Sequence, residues 1–173
     1  MQPRVAVVLV ALASGCAHSY TAVSYDVSRR ATGTTTAMQG NDDRHSGTLA
    51  IGFGTRRAAM EVVVHGHDLE VAVDPWLAAS FGLELKLAPV RRGPVSAFLH
   101  GGPVRAAIVD SETGDLTWGA GLSYGLGVMV GAGGVQLFVD VRSEQLFYTG
   151  APMTATGGSA AVRTVSLGLQ FGG

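Results

Sequence analysis

Residues 116–131 read LTWGAGLSYGLGVMVG and alternate strictly. The even positions hold Leu116, Trp118, Ala120, Leu122, Tyr124, Leu126, Val128 and Val130, whereas glycines occupy 119, 121, 125, 127 and 131. A period of two held over such a length belongs to a β-strand, in which successive side chains point to opposite faces. One face is bulky and apolar, and the other is almost entirely Gly, Ser and Thr.

The same alternation recurs along the chain. Leu49, Ile51 and Phe53 oppose Thr48, Ala50, Gly52 and Gly54; Ala58, Met60, Val62 and Val64 oppose Glu61, Val63, His65 and His67. Further on, Leu77, Ala79, Phe81, Leu83, Leu85 and Leu87 oppose Ser80, Gly82, Glu84 and Lys86. Val135, Leu137, Val139 and Val141 oppose Gln136, Phe138, Asp140 and Arg142, and Val165, Leu167, Leu169 and Phe171 oppose Thr164, Ser166, Gly168 and Gln170. Weaker alternation over 19–28 and 95–109 brings the expected number of strands to eight, with Gly101-Gly102-Pro103 expected to mark a bulge or kink. The connections run long (29–45), tight (55–57), medium (68–75, 89–94, 110–115), tight (132–134) and long (149–160). The fold class expected is all-β: an antiparallel up-and-down barrel of about eight strands, with short turns at one end and longer loops at the other.

Composition decides which face meets solvent. Hydrophobic residues make up 47% of the 173 and charged ones only 14%, with 25 glycines. In a water-soluble barrel the polar face would carry Thr, Lys, Glu and Arg. Gly weakens a strand unless room is needed, and the interior of an eight-stranded barrel is narrow enough to need it. The apolar face is therefore expected to point to lipid, and the other into a filled lumen without an open pore. Across the clearest apolar faces the only charge is Arg163, placed to reach lipid phosphates near the loop-side rim. Glu61, Glu84, Lys86, Asp140 and Arg142 fall on the opposite face and would form a paired polar cluster in the lumen. A formal net charge of −1 gives no basic face for nucleic acid, and no apolar run is long enough for a membrane-spanning helix.

The first residues resemble a bacterial lipoprotein signal peptide: MQPR is a positive n-region, VAVVLVAL an apolar h-region, and Leu12-Ala13-Ser14-Gly15-Cys16 the lipobox. The resemblance implies cleavage before Cys16, acylation of that residue, and sorting to the outer membrane because Ala17 follows it. Cys16 is also the single cysteine, so no intramolecular disulfide competes for it. Residues 1–15 are then signal peptide, 16–18 a lipid-anchored linker and 19–173 the barrel domain.

Over about 19–171 the chain resembles the small outer-membrane β-barrel proteins of Gram-negative bacteria. The closing VSLGLQF carries the likeness: Ser166, Gly168 and Phe171 match the polar-x-Gly-x-x-aromatic core of the terminal assembly signal, although two glycines follow Phe171. Trp76, Trp118, Phe147, Tyr148 and Phe171 are the candidates for aromatic girdles. The resemblance implies a protein of the bacterial outer membrane, lipid-anchored on the periplasmic side. Its partners would be outer-membrane lipid and the barrel-assembly and lipoprotein-sorting machineries; the surface partner is left open. The alternative is a periplasm-facing lipoprotein whose soluble β-barrel binds a small apolar ligand.

Catalytic signals are sparse. His65 and His67 share a strand face and are the weak metal candidates, but no further ligand has suitable spacing. None of the five histidines has Ser two residues on, as the His-x-Ser pair of outer-membrane lipid A deacylases would require. There is no nucleophile elbow and no phosphate-cradling Gly motif. The expectation is a non-enzymatic protein without a cofactor, with a structural or surface-interaction role carried by its outside loops.

Overall fold

The computed structural model describes residues 18–33, 46–71, 74–110, 114, 116–149 and 158–172. Eight antiparallel strands close into one barrel in the order β1-β2-β3-β4-β5-β6-β7-β8. They are β1 (His18–Gly33), β2 (Ser46–Gly54), β3 (Ala58–Val71), β4 (Asp74–Arg92), β5 (Val95–Asp110), β6 (Leu116–Ala132), β7 (Val135–Thr149) and β8 (Gly158–Gly172). Closure comes from β1 pairing with β8, Val23 opposite Leu169, which leaves no open sheet edge. A circuit of paired residues from Ala22 through Ala50, Val63, Gly82, Val104, Gly121, Leu146 and Ala160 returns to β1 at Gly33. The offset from Ala22 to Gly33 is the stagger that closing a barrel of tilted strands requires.

The start of β1, the end of β8 and the tight turns share one rim. His18 pairs with Gly54 beside the turn 55–57, and Gly172 donates its N–H to Gly134 O at 2.8 Å. Gly93-Pro94 and Gly133-Gly134 make the other two turns, with Gly93 at φ 60° and Gly133 at φ 70°. A positive φ at the first central position is what a type II′ hairpin turn needs, and Gly supplies it without a steric penalty. The expected medium gap at 89–94 is thus mostly strand: β4 runs to Arg92.

Face assignment follows the alternation. Leu49, Ile51, Leu83, Leu122, Leu126, Val139 and Leu169 are exposed, while Ala50, Glu84, Ser123, Asp140 and Gln170 are buried inside. Two register shifts reverse the phase. Between Asp26 and Ser28 in β1, a bulge leaves both Val27 and Ser28 outward and so turns Arg29 inward. Between Leu87 and Val90 in β4, a second sends Val90 outward, 53% exposed, and sets Arg91 opposite buried Ser96. The bulge expected at Gly101-Gly102-Pro103 is not there. Gly101, Gly102 and Pro103 pair in unbroken register with Tyr124, Ser123 and Leu122. Small residues are needed for a different reason: a Cβ on Gly102 would lie 2.0 Å from Leu83 O on β4.

The glycine-rich inner face makes room for large side chains directly across the ladder. Phe98 pairs with Gly127, His100 with Gly125, Tyr148 with Gly119, Phe138 with Gly168 and Tyr20 with Gly52. In each pair the ring lies where a Cβ on the glycine would stand, at 2.2–2.6 Å. Tyr148 is consequently an interior residue, 3% exposed, and not a girdle residue as the sequence suggested. Trp118, Phe147 and Phe171 do lie on the outer face, joined by Phe53; the Trp76 side chain falls outside the described residues. Gly127→Val is expected to overpack the lumen, because its Cβ would meet Phe98 Cζ and Val139 O, both at 2.4 Å. The expected cost is about 1–3 kcal/mol, read as a lower midpoint of urea unfolding. An unchanged midpoint would mean that Phe98 can vacate this position freely.

Candidate functional site

The lumen is where titratable groups converge. Asp26, Glu61, Glu84, Asp140 and Glu144 are buried there together with Lys86, Arg29, Arg142, His65 and His100. Every second residue of five strands supplies them, so the cluster follows from the pleat and from the β1 bulge that brings in Arg29.

The network has three linked parts. Toward the loop end, His65 stands between two carboxylates, Nε2 2.8 Å from Asp26 Oδ2 and Nδ1 3.1 Å from Glu144 Oε1. Ser46 and Ser166 each donate to Asp26 at 2.5 Å, and Ser80 donates to Glu144 at 3.0 Å. In the middle, His100 is similarly held, 2.7 Å from Glu84 and 3.0 Å from Asp140. Arg142 donates through both terminal nitrogens to Glu84, donates to Ser123 Oγ at 2.9 Å, and lies 3.9 Å from Asp140 and 3.8 Å from Glu144. Toward the turn end, Lys86 Nζ donates to Glu61 at 3.1 Å and to Gln170 at 3.0 Å. It also lies 4.6 Å from the Phe98 ring centroid and 5.0 Å from that of Tyr20, within cation–π range. Tyr20 donates to Glu61 at 2.6 Å.

All five lumen residues singled out in the sequence are therefore interior, and each has a partner of opposite charge: Lys86 with Glu61, and Arg142 with Glu84 and Asp140. Four members are not legible in the sequence: Arg29 falls in the expected connection 29–45 and is brought in by the β1 bulge. His100 lies in the strand with the faintest alternation, Asp26 in another weak one, and Glu144 two residues beyond the alternation of 135–142. The parity of Asp140 and Arg142, carried two residues on, would have found Glu144.

Chemically, this arrangement saturates itself. Both imidazoles are flanked on both sides, and the open space among Glu61, Lys86, His100, Asp140 and Arg142 is about 30 Å³. That holds a water or two and no substrate. His65 is engaged by Asp26 and Glu144, and the His67 side chain lies outside the described residues. Among the described residues no group of three metal-ligating side chains has the geometry of a metal site.

The outer surface has the opposite character. Every exposed charged side chain among the described residues is an arginine: Arg30, Arg105 and Arg163 lie toward the loop end and Arg92 at the turn-bearing rim, where Arg56, Arg57 and Arg91 line the mouth of the lumen. Arg30 and Arg163 are direct cross-strand partners. Between the two sets lies an uncharged belt that includes Leu85, Leu99, Leu126, Val139 and Leu169.

The fold and site thus define an eight-stranded up-and-down barrel with a filled polar lumen and an apolar exterior. No protein-family model matches the chain, and no curated protein matches its sequence. Among solved structures it is similar to Neisserial surface protein A (NspA), at a TM-score of 0.68 and 14% identity, over 89% of this chain and 95% of that one. It is also similar to Ail, the attachment invasion locus protein of Yersinia pestis, at a TM-score of 0.49 and 11% identity, over 89% of this chain and 98% of that one. At such identity, the likeness to NspA is a likeness of fold.

Proposed function

We propose that this chain is a non-enzymatic outer-membrane β-barrel lipoprotein that acts through the loops at the end opposite its termini. The observation that carries the reading is the inverted polarity of the barrel: charges and hydroxyls inside, an uninterrupted apolar belt outside. A soluble barrel exposing such a belt would be an aggregation hazard, since monomeric soluble proteins rarely expose apolar patches beyond a few hundred Å². A transmembrane barrel requires this belt. The same polarity weighs against the alternative of a soluble barrel holding an apolar ligand, because the lumen is occupied by a polar network.

Further support comes from the arginines. A guanidinium at each rim suits lipid phosphate, and like charges directly opposed across a ladder, as Arg30 and Arg163 are, cost stability unless an anion lies between them. NspA, whose fold the chain shares, is by its name a surface protein. The lipoprotein signal falls on residues 1–16, outside the described residues. Lipid on Cys16 would lie close to the rim where β1 begins at His18, the rim that would face the periplasm. Outer-membrane lipid and the assembly and sorting machineries are then the partners. The surface partner would be met by the connections β1–β2 and β7–β8.

The test is topology in intact cells. Epitope tags after Gly40 and after Gly157 are expected to be reachable from outside, and a tag at Gly133 only once the outer membrane is opened. Fatty-acid labelling of the mature protein is expected to vanish in Cys16→Ser. Exposure of Gly133 with Gly40 hidden would reverse the orientation, and labelling that survives Cys16→Ser would remove the anchor.

A further inference from the structure

The rim where β1 begins and β8 ends opens into a cavity of about 450 Å³. Its floor is Lys86 with Tyr20 and Gln170, packed above Phe98 and Phe138, so it is a cup and not a channel entrance. Ala59, Ala88 and Met129 supply buried apolar wall. The charged residues that line the cup are all cations, among them Arg56, Arg57 and Arg91, and no carboxylate lines it among the described residues. Glu61 lies beneath the floor and is taken up by Tyr20 and Lys86.

Arg91 reaches this cup because of the β4 bulge. Without the shift between Leu87 and Val90, the alternation that buries Glu84, Lys86 and Ala88 would turn Val90 inward and Arg91 toward the outside. Bulges re-aim side chains in this way at barrel rims and beside sites. Arg92, the next residue, pairs with exposed Val95 and takes no part in the lining. The fold thus spends an irregularity on bringing a third guanidinium to a cavity that already has two.

We propose that this cup binds an organic phosphate, with the phosphate among Arg56, Arg57 and Arg91 and the carbon portion against Ala59, Ala88 and Met129. Guanidinium forks match phosphate oxygens in geometry, whether monoester or diester; a phosphomonoester adds a charge of about −1.5 to −2 to set against three cations, and a diester headgroup sets one. The volume falls within the range of small-molecule sites, roughly 300–1,000 Å³. The source is either a free phosphorylated small molecule or the headgroup of a phospholipid from the surrounding leaflet. The site is a property of the mouth and holds whichever compartment the mouth faces, so it stands or falls apart from the topology test above.

The experiment is calorimetric titration of the full chain, refolded in a neutral maltoside detergent and phosphate-free buffer. The probes are glycerol 3-phosphate and, separately, dihexanoyl phosphatidylglycerol below its micellar concentration. At least one probe is expected to bind, with Arg91→Gln weakening it about tenfold or more and Arg92→Gln changing it less than about twofold. Arg57→Gln, in the turn and joined to the bulge only through its main-chain carbonyl, which accepts from Ala88 N–H at 2.8 Å, is expected to repeat the loss should Arg91→Gln fold poorly. Binding of glycerol 3-phosphate alone, or more tightly than the lipid, identifies a free phosphate as the source, whereas binding of the lipid alone, or more tightly, identifies a headgroup. Silence with both probes overturns the site. So does an equal loss in Arg91→Gln and Arg92→Gln, which would reduce it to the diffuse charge of the rim.

Discussion

Arg142→Met is expected to destabilise the folded barrel by about 3–5 kcal/mol, the range for removing one partner of a buried ion pair. Arg142 is 5% exposed and serves three carboxylates: it donates twice to Glu84, which is 0% exposed, and lies near Asp140 and Glu144. Methionine fills much of the same volume, so the loss measures charge and hydrogen bonding and not a cavity. Taking the cation away leaves acids held together in a lumen whose free space among them is about 30 Å³, too little water to solvate them. The measurement is equilibrium urea unfolding in phospholipid vesicles, followed by tryptophan fluorescence. Adding Glu84→Gln to Arg142→Met is expected to recover part of the loss, because one of the stranded charges then disappears; the departure from additivity should be about 0.5–3 kcal/mol. A single variant within about 1 kcal/mol of the parent would show that the network is filler of no energetic consequence.

The parts of this molecule that were legible in the sequence are those where one period holds. β6 and the second half of β8 alternate without interruption, and their faces could be assigned residue by residue. Two physical causes hid the rest. First, hydrogen-bonded strands continue past the apolar belt, where nothing forces every second residue to be hydrophobic. The stretch VHGHDLEV in β3 loses its alternation after Val64, yet the ladder with β4 runs on to Val71 opposite Asp74. The expected loops were accordingly too long. Second, a bulge inverts the phase. Arg29 and Arg91 would lie on the outer face by simple alternation and are turned inward by one extra residue in each strand. Nothing in the sequence around Asp26 announces the first shift, and Pro89 is the sole hint of the second. The cup at the turn-bearing rim depends on that second shift, and for that reason it was invisible before the structure. Tyr148 differs for a simpler reason: residue type suggests a girdle, but its even number sets it on the face of Asp140 and Arg142, opposite Gly119.

The outer belt yields the second large effect. Leu126→Arg is expected to cost about 2–4 kcal/mol in a bilayer, the range for a cation placed at the midplane of a lipid-facing strand. Leu126 is 60% exposed, and its two cross-strand partners, Leu99 and Val141, are themselves exposed aliphatics. An arginine here would have no charged neighbour on the surface, only the hydroxyls of Tyr124 and Ser143 on the side toward the loops, and a long reach to either rim. Leu122 makes the graded comparison. It is equally exposed at 58%, but it pairs with Pro103, two residues before outward Arg105, and with the polar Gln145. A guanidinium at 122 lies near the level where the barrel already carries arginines, so Leu122→Arg is expected to cost only about 0–1 kcal/mol, the value for positions near an interface. The order of the two variants, more than either value alone, distinguishes the environments. In water both substitutions would be exposed surface changes, each within about 0.5 kcal/mol of the parent, and a barrel with this belt would gain solubility from them. Urea unfolding of both variants in vesicles reads the difference directly. If Leu126→Arg folds and unfolds as the parent does, the belt does not face hydrocarbon, and the outer-membrane reading of this barrel fails at its foundation.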